Sequence, residues 1–159
     1  MRAEALEELA DWEHPAGIDR VIGLWRPVAA VRPRETAAEA LEPKLTNLLK
    51  ESPQDVVIAA LHAVARLGLN SSSGSLMDLL ANSRLSGTLR AEALSTIAQL
   101  NLPSLEEALN TARNDTNEEL RKTAIQLESK LGTSNAVKRI GASPLPHGSF
   151  SFHSHSHTP

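Results

Sequence analysis

The residues best suited to chemistry lie near the C-terminus, where His153, His155 and His157 alternate with serines. In an extended chain all three imidazoles would point to one side. Together with His147 they form a histidine-rich tract of a kind that binds zinc, nickel or copper. Such binding should be lost at about pH 5, because the rings are then protonated. The alternative is a flexible tail with incidental metal affinity, and we favour the tail and predict no metal site.

The other ionisable residues lack the spacing that catalysis needs. His14 and His62 have no carboxylate or serine at a spacing that suggests a catalytic dyad. Glutamates occur as adjacent pairs such as Glu106 and Glu107, and adjacent residues do not face each other on a helix. The chain has no cysteine, which excludes a cysteine nucleophile and a thiolate metal site. The sequence therefore predicts that the protein is not an enzyme and has no catalytic residue or cofactor.

The most distinctive cluster combines tryptophan and arginine close to the N-terminus. Trp12, Arg20, Trp25 and Arg26 would suit a partner-docking surface, because these two residue types are common anchors at interfaces. The alternative is that both tryptophans fill the gap that the insertion leaves in the core, while one of the two arginines pairs with Asp11 or Asp19. We favour the core-filling interpretation and keep the four residues as the candidate partner-binding site.

The composition indicates which elements position these residues. The chain has 159 residues, of which 41% are hydrophobic but only 3% aromatic, and this argues against an all-β fold. Abundant Ala, Leu and Glu favour helices. A net charge of −3 gives no reason to expect nucleic acid or an anionic membrane as a partner. The longest apolar runs are also far shorter than the roughly 20 residues that span a bilayer. We therefore predict an all-α protein with neither partner.

An internal repeat organises the predicted helices. Four segments align without gaps, and they cover residues 2–9, 57–64, 90–97 and 121–128. Each contains an alanine followed by leucine or isoleucine, and the starts lie 55, 33 and 31 residues apart. The last two periods are typical of stacked helical hairpins, while the first indicates an insertion over 10–34.

Apolar periodicity and capping signals predict eight helices. They cover about 2–10, 18–25, 35–50, 53–67, 74–82, 87–100, 104–113 and 117–131. Pro43 should kink or split the third of these, because proline lacks the backbone donor. Ser104 and Thr116 begin capping boxes, and Gly68 and Gly132 suit left-handed C-caps.

These elements predict a short right-handed α-solenoid of stacked hairpins over residues 1–132. Residues 133–159 carry no periodic apolar face, so we predict a disordered Ser/His-rich tail there. Stacking would bury one continuous core along the array. Because no capping repeat closes either end, we expect apolar surface and self-association at the solenoid ends.

Residues 115–124 and 89–94 resemble the second helices of HEAT repeats. In that family an acidic residue precedes the helix, followed by an arginine and an alanine–leucine pair. The matching positions here are Asp55, Arg90, Asp115 and Arg121. The resemblance implies a structural ladder of acid–arginine pairs along the stack, with one rung missing because Val57 replaces an arginine.

Residues 10–27, followed by 33–49 and a repeat, resemble a segment of large secreted proteins of planctomycete-type bacteria. Those proteins join a sugar-dehydrogenase-like β-propeller to HEAT repeats and a c-type cytochrome domain. The resemblance implies a fragment of a longer periplasmic or secreted chain, with redox chemistry in other domains. Glu4 and Glu7 occupy the place of a signal peptide's apolar stretch, so we expect no signal peptide in this chain.

The function we expect is a non-catalytic helical scaffold that binds a protein or another domain of a parent chain. The alternative is a HEAT spacer module in a secreted haem-containing dehydrogenase-like protein. Some HEAT-like solenoids are enzymes or nucleic-acid binders, including a family of DNA glycosylases. The acidic balance and the scarcity of aromatic residues argue against that use here.

Overall fold

A computed structural model describes residues 2–15, 17–18, 22–25 and 32–141, and the regular elements in these ranges are helices, without a strand. The helices in them are α1 (Arg2–Ala10), α2 (Arg34–Glu51), α3 (Gln54–Leu67), α4 (Ser73–Ala81), α5 (Gly87–Gln99), α6 (Leu105–Arg113) and α7 (Glu118–Gly141). A single 3₁₀ turn, Asn70–Ser72, precedes α4. The predicted all-α class is confirmed.

The helices contact one another in a regular order. Each odd-numbered helix packs against the next odd-numbered helix, from α1 through α3 and α5 to α7. Each even-numbered helix packs against the odd-numbered helix that follows it, and α4 also contacts both α2 and α6. As a result, the apolar side chains between the helices form a single buried cluster from Leu6 to Ala124.

Burial of the repeated Ala–Leu pair follows this order. The alanines Ala60, Ala93 and Ala124 are fully buried, and so are Leu61 and Leu94, which follow two of them. At the two ends of the odd-numbered series the pair is split: Ala5 is exposed beside buried Leu6, and Ile125 is exposed beside buried Ala124. The alanine therefore faces the preceding odd-numbered helix and the larger residue faces the following one. A methyl side chain permits close approach of two helices, which leucine would block.

The helix boundaries confirm some capping predictions and contradict others. Gly68 ends α3 with φ 70° and ψ 37°, the predicted left-handed conformation. The capping box at Ser104 is wrong, because its hydroxyl lies 3.2 Å from the Ser73 hydroxyl and does not cap α6. At the start of α7 the side chain of Asn117, and not that of Thr116, accepts a hydrogen bond from the backbone N–H of Leu120.

The structure bears on two other predictions about the helices. Of the two outcomes predicted at Pro43, a split is excluded, because α2 is one helix across that residue. The last helix does not end at Gly132 but continues to Gly141, so residues 133–141 of the predicted disordered tail are helical. The rest of that tail, 142–159 with its four histidines, lies outside the described residues.

Candidate interaction surface

Trp12 lies just after α1 and packs against the hydrophobic core. The guanidinium of Arg32 stands 4.7 Å from the centre of its ring, a distance at which a cation is attracted to the aromatic face. The indole Nε1 is buried and has no hydrogen-bond partner among the groups that the structure describes. Trp12 thus occupies the place that the core-filling interpretation gives it, with one polar atom left unsatisfied.

Trp25 has a different environment. Its side chain is 69% exposed, so it does not fill the core. Trp25 pairs with Ile18 in an isolated antiparallel bridge, and Gly23 between them has φ 67°. The ring lies over Gly17, where an added Cβ would come within 2.7 Å of it. The predicted short helix over 18–25 is therefore wrong in the part of this segment that the structure describes.

The structure describes neither of the two arginines in the tryptophan–arginine cluster. Arg20 and Arg26 lie outside the described residues. Asp11, one of the two aspartates that these arginines were expected to pair with, forms an ion pair with Arg66 in the last turn of α3. The other, Asp19, also lies outside the described residues. Exposed large apolar side chains nevertheless gather in this segment. They are Ile18, Ile22, Leu24 and Trp25.

The ladder residues Arg90 and Asp115 form an ion pair in which the arginine is buried and the aspartate is half-buried. The Arg90 side chain is 5% exposed and that of Asp115 is 15% exposed. Nη1 of Arg90 donates to Oδ1 of Asp115 at 3.1 Å, and Nη2 donates to Oδ2. Nε of Arg90 donates to the backbone carbonyl of Leu80 at 2.7 Å. The guanidinium therefore connects α5 with the end of α4 and with the loop before α7.

The pKa of Asp115 is lowered from its ordinary value. The hydrogen bond from Arg90 is the largest cause, and the backbone N–H of Asn117 adds to it at 2.8 Å. Burial of the carboxyl acts in the opposite direction and is outweighed. The folded protein therefore favours the ionised form of Asp115.

The other two ladder residues do not form a second rung. Nη1 of Arg121 donates to the backbone carbonyls of Asp115 and Thr116, at 2.8 Å each. Asp55 is exposed and makes no ion pair with any described residue. Arg121 therefore orders the loop before its own helix, and the structure places a single acid–arginine pair among these four residues.

Sequence reasoning missed a polar row across the odd-numbered helices. Nδ1 of His62 lies 2.9 Å from Oε1 of Glu7, and its Nε2 lies 3.9 Å from Oε2 of Glu92. The hydroxyl of Thr88 on α5 donates to Glu119 on α7 at 3.1 Å. These side chains line the exposed surface of α1, α3, α5 and α7, which we call the odd-helix face. The repeat alignment contains the signal, because Glu7 and His62 occupy the same position in successive repeats.

The cavities are hollows between helices. One of about 510 Å³ lies between α2 and the α4 N-terminus, where Ser71 donates to Glu42 at 2.7 Å. Another, of about 270 Å³, is lined by side chains that include Lys50 and Asp78. In the described ranges, no group of three or more His, Cys, Asp or Glu residues could hold a metal ion. None of the helices described is long and apolar enough to cross a membrane.

Comparison of the chain with protein-family models, curated proteins and solved structures gave no significant match. The HEAT resemblance therefore depends on the repeat positions themselves.

Proposed function

We propose that this protein is a non-catalytic scaffold, and that its helices form a short right-handed α-solenoid of HEAT type. The observation that carries the proposal is the order of helix contacts, odd with odd along the chain and each even helix with its odd successor. Stacked helical hairpins produce this order, because each hairpin buries its apolar side against its neighbours. The repeated burial of Ala60, Ala93 and Ala124 supports the same arrangement.

The surface proposed to bind a protein, or another domain of a longer chain, is the odd-helix face. Its side chains come from four helices that are far apart in sequence but adjacent in the stack. Glu7, His62 and Glu92 connect three of these helices, and Thr88 with Glu119 connects the fourth. Extended surfaces of this kind are what solenoid proteins use for binding.

Site-specific photo-cross-linking tests this function. A photoreactive residue at Gln99 samples the odd-helix row, and the same residue at Asn110 on α6 is the matched control, since both positions are exposed. In cells that express the protein, we expect a discrete cross-linked species from position 99 and little from position 110. Equal yields from the two positions, or no product from position 99, would contradict the assignment of this face.

A further inference from the structure

The odd-numbered helices make the same kind of contact three times, between α1 and α3, α3 and α5, and α5 and α7. The outer sides of α1 and α7, which face away from the other odd-numbered helices, carry the two surfaces that such a contact joins. Ala5 is exposed although the aligned Ala60, Ala93 and Ala124 are fully buried. Ile125 is 58% exposed although the aligned Leu61 and Leu94 are fully buried. The outer side of α1 thus carries the alanine, and no described helix packs its leucine side against it. The outer side of α7 carries Ile125, and no described helix packs its alanine side against it.

The internal contacts give the register of such a pairing. Glu7 meets His62, Asp11 meets Arg66, and Thr88 meets Glu119, and in each pair the two residues hold the same repeat position. The helices of these two contacts, α1 with α3 and α5 with α7, are therefore parallel and in register, while His62 and Glu92 in the α3–α5 contact hold positions three residues apart. An α1 helix laid on α7 in this register would place Ala5 against the side that carries Ile125.

One exposed charge on α7 holds a position at which the internal contacts form an ion pair. Lys130 is exposed and holds the repeat position of Arg66, whose partner in the α1–α3 contact is Asp11. In this register Lys130 would lie opposite Asp11 of a docked α1, a residue of opposite charge. The charged residues closer to Ile125, Glu118 and Lys122, pair with each other at 2.7 Å.

We propose that a second copy of this chain docks its α1 onto α7 of the first, head to tail, and extends the row of odd-numbered helices. The contact is heterologous, so each copy keeps one unused end and further copies can add. One helix from each side buries less than the roughly 800 Å² per partner of a stable interface. The association is therefore weak, and it weakens further as salt screens the charges.

Analytical ultracentrifugation of the full chain tests this proposal. We expect the weight-average mass of the wild type to rise above the monomer between about 10 μM and 1 mM, a range in which weak complexes form. The rise should be smaller at high salt. Ile125→Glu and Ala5→Glu should each keep the protein monomeric and folded, because both positions are exposed.

Mixing the two variants is the decisive measurement. The Ile125→Glu chain keeps a working α1 side and the Ala5→Glu chain keeps a working α7 side, so an equimolar mixture should form a dimer and nothing larger. Trp25→Glu, at the other exposed apolar site, is the control and should associate like the wild type. A wild type that stays monomeric at the highest concentration, a mixture that stays monomeric, or loss of association in Trp25→Glu would overturn the proposal. None of these results bears on the odd-helix cross-link, so the two proposals fail separately.

Discussion

The helices from α5 to α7 and the segment between α1 and α2 differ in how their polar groups are hydrogen-bonded and in how their apolar side chains are buried. Between α5 and α7, Arg90 is buried but makes three hydrogen bonds, and Ile97 and Leu120 are fully enclosed. Between α1 and α2, Trp12 buries a nitrogen without a partner among the described groups and Trp25 remains exposed. The repeat, and not hydrophobicity alone, therefore decides which side chains become core.

The largest effect should come from breaking the buried ion pair. Asp115→Ala should lower the free energy of unfolding by about 3–5 kcal/mol, because Arg90 would remain buried without its counter-charge. Chemical denaturation monitored by circular dichroism measures this. The double variant Arg90→Met/Asp115→Leu should recover most of the loss, because it removes both charges. A loss below about 1 kcal/mol in the single variant would mean that the pair is not enclosed as described.

Overpacking the repeat should have the next largest effect. Ala93→Leu should cost about 1–3 kcal/mol, because Ala93 is fully buried where α5 packs against its neighbours. Ala5→Leu is the matched control, since Ala5 holds the same repeat position but is exposed, and it should cost less than about 0.5 kcal/mol. Thermal unfolding in dilute solution compares the two. An unchanged midpoint for Ala93→Leu would contradict the close-approach role of the alanines.

Acid should remove the contribution of Asp115 to the free energy of unfolding. The pKa of Asp115 is lowered in the folded protein by Arg90, so its ionised form stabilises the fold above the ordinary aspartate pKa of about 4. That stability is lost as the pH falls through the lowered pKa. The stability difference between wild type and Asp115→Asn should be constant above about pH 5 and should shrink at lower pH.

A control for this acid series is available on α4. Asp78 is exposed, so Asp78→Asn should change stability by less than about 0.5 kcal/mol at neutral pH. Denaturant titrations between pH 2 and pH 7 (about six conditions) would follow both variants. A difference for Asp115→Asn that does not change with pH would show that the charge of Asp115 is unimportant.

The smallest effects should distinguish the two tryptophans. Trp25→Ala should change the free energy of unfolding by less than about 0.5 kcal/mol, because the side chain is exposed. Trp12→Phe removes the unpartnered nitrogen but keeps an aromatic ring under Arg32, so it should cost less than about 1 kcal/mol. Urea denaturation resolves both. A large loss in Trp25→Ala would indicate that Trp25 belongs to the core after all.

Much of the fold could be predicted where local pattern and packing agree. The alanine–leucine pairs identified the helices that became α3, α5 and α7, and Gly68 was recognised because only glycine readily adopts its backbone conformation. The helix over 18–25 failed because its apolar spacing lies on a segment that turns at Gly23. The extension of α7 to Gly141 was missed because Gly132 has the residue type of a C-cap but does not act as one.

The candidate surface was harder to predict than the fold. Arg90 and Asp115 were chosen together, and they do meet, because an arginine and an acid at these repeat positions lie across one helix contact. Asp55 and Arg121 were chosen on the same pattern but do not meet each other or complete a rung. Glu7 and Glu92 were not chosen at all. The repeat alignment gives Glu7 and His62 the same position, but Glu92 holds a different one, so its place beside His62 follows only from the packing of α3 against α5.

Helix periodicity and small–large alternation are local properties, so the helices and the repeated positions follow from the amino-acid sequence alone. Which side of each helix is exposed follows instead from how the helices pack. Ala5 and Ala93 have the same local sequence, yet one is at the surface and the other is enclosed. The physical reason is that burial depends on the presence of a neighbouring helix, and that neighbour comes from a distant part of the chain.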